Sequence, residues 1–323
     1  MLSAVDLGSF LHGNATERQR IAADVDRICQ SIGFLIVEDH GVPQHICDNA
    51  WLAARAFFDL SVDEKVAAQS PDTACPRGYF PIEQESLGKT LGVVAPPDRK
   101  EAFSIGPLVA PDGHDGSPDF DFFYGPNIWP QNPAHLQHAL IDYYMAMERL
   151  GAQLMQLMAA ALEIEFDFFV PFHTHHLSAL RTLNYPSFSG ELSPGQRRAG
   201  AHSDYGTVTI LKPDPIVGGL EVRLPSGDWI SAPLVADGFI VNIGDLMARW
   251  TNDRWVSTLH RVVNPTGNDG AASPRRQSIA YFMNPNDDAE ISAIPTCLED
   301  SESPKYPSVS AGGYLMEKFY SAS

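Results

Sequence analysis

Cations are scarce in this chain of 323 residues: 22 Lys and Arg stand against 40 Asp and Glu, for a formal net charge of −18. That balance disfavours a nucleic-acid backbone or an anionic membrane surface as partner, since either needs clustered positive charge. The acidity reads as a solubility device, and any anionic ligand must be held by local cations. Cysteine is scarce too. Cys29, Cys47, Cys75 and Cys297 form neither a C-x-x-C pair nor a framework spacing, which argues against zinc and a disulfide scaffold and points to reduced core thiols. No stretch approaches the roughly 18 apolar residues of a membrane span. The opening "MLSAVDLGSFLHGNATERQR" lacks a basic segment leading into an apolar run and a cleavage site, so a cytoplasmic location is the default expectation. Repeats and low-complexity linkers are also missing, and residues 1–323 read as one compound domain.

What is present divides by texture. Asn14 or Thr16 can cap a helix running to about Ser31, with Ile21, Val25 and Ile28 at helical spacing and Gly33 as its stop. "FLIVE", Phe34 to Glu38, reads as a strand, and a second helix is expected over Pro43 to Leu60. Ser61 and Glu64 have capping-box spacing at the head of "SVDEKVAA". The Gly- and Pro-rich stretch from Ser70 to Pro133 reads as loops and short strands over a surface. Ala134 to Glu163 carries a long stripe of Leu136, Leu140, Tyr144, Met147, Leu150 and Leu154, expected to be core. After Leu177 come short β-like runs, "LRTLNYP", "TVTILK", "GGLEVRL", "DWISAP", "GFIVNIG", "TLHRVVN" and "RQSIAYF", as in a β-sandwich or barrel. The reading is a mixed α and β chain: a helix-rich part over 1–170, a β-rich core over 178–285 and a C-terminal segment over 286–323.

In "GAHSDYGTVTILKPDP", His202 and Asp204 stand two apart at the head of a strand-like run, where i and i+2 share a face. His260, in "STLHRVVNP", lies in a later run that a doubled-back chain could return beside them. Two imidazoles and a carboxylate on one face suit non-haem iron(II) with open positions. On spacing alone, a buried hydrogen-bond network is an equal reading. The cluster His173, His175 and His176 has no carboxylate at matching spacing and reads as surface or structural, and His40 reads as setting a turn before Gly41. In "RRQSIAYF", Arg276 and Ser278 again share a strand face, a guanidinium and a hydroxyl suited to a carboxylate, while Arg275 is expected to point away into solvent. Together the two pairs imply a metal-chelating organic acid as cosubstrate.

These residues, in order with "GFLIVEDHGV", "FFDLSVDEKVA", "RGYFPIEQE", "KEAFSIG", "GPNIWP" and "KYPSVSAGGYL", make the chain resemble the isopenicillin N synthase-like family of iron(II) and 2-oxoglutarate-dependent oxygenases over nearly its whole length. The resemblance implies a distorted double-stranded β-helix, or jelly roll, with flanking helices. It implies iron(II) on His202, Asp204 and His260, and 2-oxoglutarate with its distal carboxylate on Arg276 and Ser278 beside Tyr185. Dioxygen would be the oxidant and ascorbate an optional reductant, with a small molecule oxidised as succinate and carbon dioxide are released. An ascorbate-dependent oxidase of the same fold and a non-catalytic ligand-binding barrel are the alternatives. The chain departs from the family at Lys212-Pro213-Asp214, where Pro213 lacks an amide donor and a bend or a different cap is expected, and at Asp39. "AGAHSDYG", "GDLMARWTND" and "SIAYFMNPN" are similar to the thymine 7-hydroxylase branch, which would place Arg181, Tyr205 and Phe282 around a planar, carbonyl-bearing substrate. A monomer or weak homo-oligomer is expected.

Overall fold

The computed structural model describes residues 2–72, 75–92, 96–113, 118–188, 195–264, 273–298 and 303–322. Strand β1 (Ser3–Asp6) leads into helix α1 (Leu7–His12), whose first turn is closed by the Asp6 side chain accepting the Ser9 amide. Asn14 accepts the Glu17 amide at 3.1 Å and so starts α2 (Ala15–Ser31), as its side-chain chemistry predicts. Gly33, at φ 63°, turns the chain into β2 (Phe34–Glu38), and α3 (Gln44–Phe58) follows. The Ser61 and Glu64 capping box opens α4 (Val62–Val66).

The stretch from Ser70 to Pro133 brings the expected short strands, but it departs from a surface covering in their burial and in the helix near its end. It contributes β3 (Gly78–Phe80) and β4 (Glu101–Ile105), and every residue of β4 is buried. Positions 73–74, 93–95 and 114–117 of this stretch lie outside the described residues. Polar core residues hide β4 from a hydrophobicity reading: buried Glu101 is matched by Lys65 Nζ at 2.8 Å and Asn184 Nδ2 at 2.7 Å. Helices α5 (Pro118–Tyr124) and α6 (Leu136–Ala161) follow, and α6 buries the expected stripe.

The second half is β5 (Ala179–Tyr185), β6 (Ala199–His202), β7 (Val208–Lys212), β8 (Leu220–Arg223), β9 (Trp229–Ser231) and β10 (Phe239–Ile243). Helix α7 (Asp245–Trp250), β11 (His260–Val262), β12 (Arg276–Met283), β13 (Glu290–Ile291), β14 (Val309–Ser310) and α8 (Ala311–Ala322) complete it. Eight strands form one sheet in the order β1-β2-β10-β7-β12-β5-β4-β3, antiparallel except for β1 and β2. Four form another in the order β6-β11-β8-β9. The sheets face each other through Phe34, Ile36, Tyr185 and Ile240 from the larger and Ala199, Leu220, Val222 and Val262 from the smaller. This is the jelly roll that the resemblance implies. The outer face of the large sheet, at Ile210, Ile279 and Tyr281, packs with Tyr144 and Leu150 of α6 in the main core. Polar side chains are thereby left to gather on the inner face.

Candidate active site

His202 is the last residue of β6 and Asp204 lies in the turn before β7. The pair therefore does not share one strand face, contrary to the sequence reading. The reason is that β6 ends at His202, so its alternation does not extend to Asp204; upstream of that end the register against β11 shifts, with His202 opposite His260 and Ala199 opposite Val262 and an extra residue on β6. The turn brings the carboxylate back to the imidazoles. The two rings lie 4.3 Å apart between centroids, and Asp204 Oδ1 stands 3.8 Å from His202 Nε2 and 3.7 Å from His260 Nε2.

Backbone carbonyls fix the tautomers. His202 Nδ1 lies 2.8 Å from Gly200 O and His260 Nδ1 lies 3.2 Å from Thr258 O, and since a carbonyl only accepts, each Nδ1 is the donor and Nε2 is the ring atom left to bind a metal. Asp204 Oδ2 accepts from Thr209 Oγ1 at 2.6 Å and from Asn242 Nδ2 at 2.7 Å, leaving Oδ1 toward the rings. Burial, with the neighbouring His260, pulls the His202 pKa down to about 3, so this imidazole is neutral at pH 7. Burial raises the Asp204 pKa, but His260, His202 and the bonds from Asn242 and Thr209 outweigh it and hold the carboxyl below its ordinary value. One ligand atom from each of His202, Asp204 and His260 lies within 4.8 Å of the others, a donor set that could hold a divalent cation. The turn itself is held by the start of α7: the Asp245 amide donates to Asp204 O at 2.7 Å and the Leu246 amide to Tyr205 O at 3.1 Å.

Arg276 and Ser278 share the inner face of β12, with Nη1 donating to Oγ at 3.3 Å. Arg276 is 2% exposed, pairs in register with Tyr185 of β5 and lies with Cζ 4.9 Å from that ring's centroid. Arg275 points to the other face, but not into solvent as expected: Nε donates to Asn184 Oδ1 at 2.6 Å and the guanidinium pairs with Asp59, because α3 covers that face. At the unusual Lys212-Pro213-Asp214, β7 ends before the proline and Asp214 takes over as acceptor for the amides of Ile216, Val217 and Gln277.

Arg181 and Phe282 lie on the adjacent strands β5 and β12, while Tyr205 follows Asp204 in its turn. Arg181 donates Nη2 to Glu85 Oε2 at 2.6 Å and stacks over Phe80, and Lys100 Nζ reaches the same Glu85 oxygen at 2.7 Å. Burial opposes the charge of Glu85, yet Arg181 and Lys100 hold its pKa well below the carboxylate range. Tyr205 meets Phe319 of α8 edge-on at 5.8 Å. Sequence reasoning missed Thr209, Asn242, Glu85 and Lys100. The signal for Asn242 is an amide inside the apolar run "FIVNIG". His40 sets its turn as expected, accepting the Val42 amide. The "FHTHH" cluster disperses: His173 meets Phe169 O, His176 meets Glu148, and His175 lies 3.2 Å from Asp288, a carboxylate distant in sequence.

Comparison with known proteins agrees with this geometry. Residues 2–132 match the family described as non-haem dioxygenase in morphine synthesis N-terminal, and residues 175–285 match the 2OG-Fe(II) oxygenase superfamily. Validamycin A dioxygenase of Streptomyces hygroscopicus subsp. limoneus is 31% identical over 97% of this chain and 84% of its own length. The crystal structure of a full-length Neurospora crassa protein in complex with alpha-KG is 30% identical, with a TM-score of 0.88 over 99% of this chain and 96% of that one. The same Neurospora protein with alpha-KG and thymine gives 0.87, at 29% identity over 100% of this chain and 97% of that one.

Proposed function

The chain belongs to the 2OG-Fe(II) oxygenase superfamily, and from that premise we propose that His202, Asp204 and His260 bind the iron and that Arg276, Ser278 and Tyr185 hold 2-oxoglutarate. The observation that carries this reading is the convergence of Asp204 Oδ1 with two Nε2 atoms whose tautomers are set by backbone carbonyls. When bound, iron(II) with 2-oxoglutarate and dioxygen supplies the oxidation of a small molecule, the cosubstrate leaving as succinate and carbon dioxide. The protein's part is positioning. Asp204 offsets one charge of the cation while Thr209 and Asn242 keep its second oxygen turned away. Arg276 fixes the far carboxylate by charge-assisted bonds of roughly 1.5–3 kcal/mol, with the Tyr185 ring packed beside it. Family membership favours this reading over the ascorbate-dependent oxidase and the non-catalytic barrel.

For the primary substrate, the reading is a planar ring bearing carbonyl groups. Arg181 offers the donor, while Tyr205 and Phe282 offer aromatic faces. The thymine complex of the Neurospora protein supports it. Mass spectrometry of succinate and oxidised products from anaerobically reconstituted protein tests both levels. Planar heterocycles or aromatic metabolites are expected to stimulate succinate formation, and Tyr205→Ala is expected to weaken that stimulation more than it weakens 2-oxoglutarate binding. Stimulation by flexible amino acids or peptides alone would contradict the planar substrate and leave the oxygenase standing. Absence of succinate under every condition would contradict the oxygenase.

A further inference from the structure

Arg198 stands immediately before β6, is 2% exposed, and forms no ion pair with any carboxylate among the described residues. Arg276, equally buried, forms none either. A buried guanidinium without a counter-ion is costly, and two side by side are more so, unless an anion completes the site. The two are brought near each other where Arg198 Nη2 donates to Pro274 O, on the segment that runs into Arg276 at the start of β12, and burial, then the repulsion of Arg276, draws the Arg198 pKa down to about 10. Asp214 offsets part of this charge from a distance, while its oxygens accept the backbone amides of Ile216, Val217 and Gln277, and it forms no ion pair with either guanidinium among the described residues.

Arg198 cannot easily swing away. Its Nη2 donates to Ser273 Oγ at 2.8 Å and to Pro274 O, on the segment that leads into β12, and Nη1 is buried without a partner among the described residues. On Arg276, Nη1 donates to Ser278 Oγ, and Nε is likewise buried without a partner among the described residues. The Tyr185 ring lies against the Arg276 guanidinium, in register with it, and also contributes to the field at Arg198. We infer that Arg198 is a second cation of the cosubstrate site, so that the distal carboxylate of 2-oxoglutarate is held in the field of two buried guanidiniums rather than one. This inference rests on the reading above that Arg276 and Ser278 take that carboxylate. Its consequence is selectivity: the site prefers a 2-oxo acid with a charged far end over one without.

The test is a ratio of binding constants, read by visible charge-transfer absorption of the anaerobic iron(II) protein. The probes are 2-oxoglutarate and 2-oxopentanoate, which keep the chelating end and differ at the far end. Arg198→Gln is expected to lower the preference for 2-oxoglutarate by about tenfold or more, as loss of a charge-assisted partner does. Arg198→Lys, which keeps the charge but not the fork, is expected to fall between wild type and Gln. Arg198→Met serves the same purpose should Gln not fold. A role confined to holding the Ser273–Pro274 segment would shift both constants together and leave the ratio at its wild-type value, and that result overturns the inference. Arg276→Gln is the control: if its ratio collapses while that of Arg198→Gln does not, only the second cation fails. If the Arg276→Gln ratio is also unchanged, the assignment of the distal carboxylate fails with it.

Discussion

Asn242 shows how much of the site rests on side chains that would not touch the metal. It projects from β10 into the space between the sheets and donates to the Asp204 oxygen that faces away from the histidines. Thr209 does the same from β7. With both bonds made, the carboxylate plane is fixed and Oδ1 is aimed, and orienting partners of this kind commonly alter metal affinity by about 10–100-fold. Asn242→Ala is therefore expected to weaken iron(II) binding by about that factor while Arg276-dependent selectivity among 2-oxo acids is retained. Anaerobic competition against a chelator measures it, and undiminished iron affinity would mean that Thr209 alone orients the carboxylate. Residue identity is the most legible level of this site. His202, Asp204, His260, Arg276 and Ser278 are visible in the sequence because a histidine, a carboxylate or an arginine is conspicuous inside β-like runs. Thr209 and Asn242 are not, since their roles depend on which strands become neighbours. Arg275 misleads for the same reason: its face of β12 looks free until α3 covers it.

At the scale of elements, the centre is a junction of β6, the following turn, β11 and α7. The sequence reading puts His202 and Asp204 on one strand, whereas β6 ends at His202 and the turn after it brings the two together by a different route. Gly244 lets that turn lie against the start of α7, where its amide donates to Thr207 O, while Gly206 lets the turn approach Asn284 after β12. A Cβ at Gly244 would stand 2.2 Å from the carbonyl oxygen of Gly206, so the turn and not a flexible side chain would have to move. Gly244→Ala is accordingly expected to cost about 1–3 kcal/mol of stability. Because the displaced turn carries Asp204, iron affinity should fall as well. Denaturant midpoints and iron titration of one preparation measure the two effects. A stable variant with unaltered iron affinity would show that the turn adjusts without disturbing the ligand. Strand β4 is illegible for a related reason: Glu101 and Ser104 look like surface positions until the buried Lys65, Asn184 and β5 are brought against them.

Across the whole molecule, the long helix, the sandwich texture of the second half and the order of the motifs are legible; the sandwich falls largely in the second matched family region, while the long helix lies between the two. The C-terminal helix is not. Gly312 and Gly313 weaken its helical pattern, and α8 is stabilised by burying Leu315 and Met316 with Phe123, Tyr124 and Leu177. Lys318 of α8 also reaches Asp245 at 2.9 Å, on the helix that holds the Asp204 turn. The negative balance of the chain leaves few cations to bury, and most of those that are buried have partners of their own: Lys65 pairs with Glu101, Lys100 with Glu85, and Lys212 donates to Ala236 O. No helix among the described residues is long and apolar enough to cross a membrane. The central claim is that elements distant in sequence build one centre for iron(II) and 2-oxoglutarate. Anaerobic addition of both to the protein, followed by visible absorption, tests it most directly, since the charge-transfer band requires metal and cosubstrate in the same site. Wild type is expected to saturate at about one iron per chain, and His260→Ala to lose the band with unchanged far-UV circular dichroism. A full-strength band in folded His260→Ala would contradict the account.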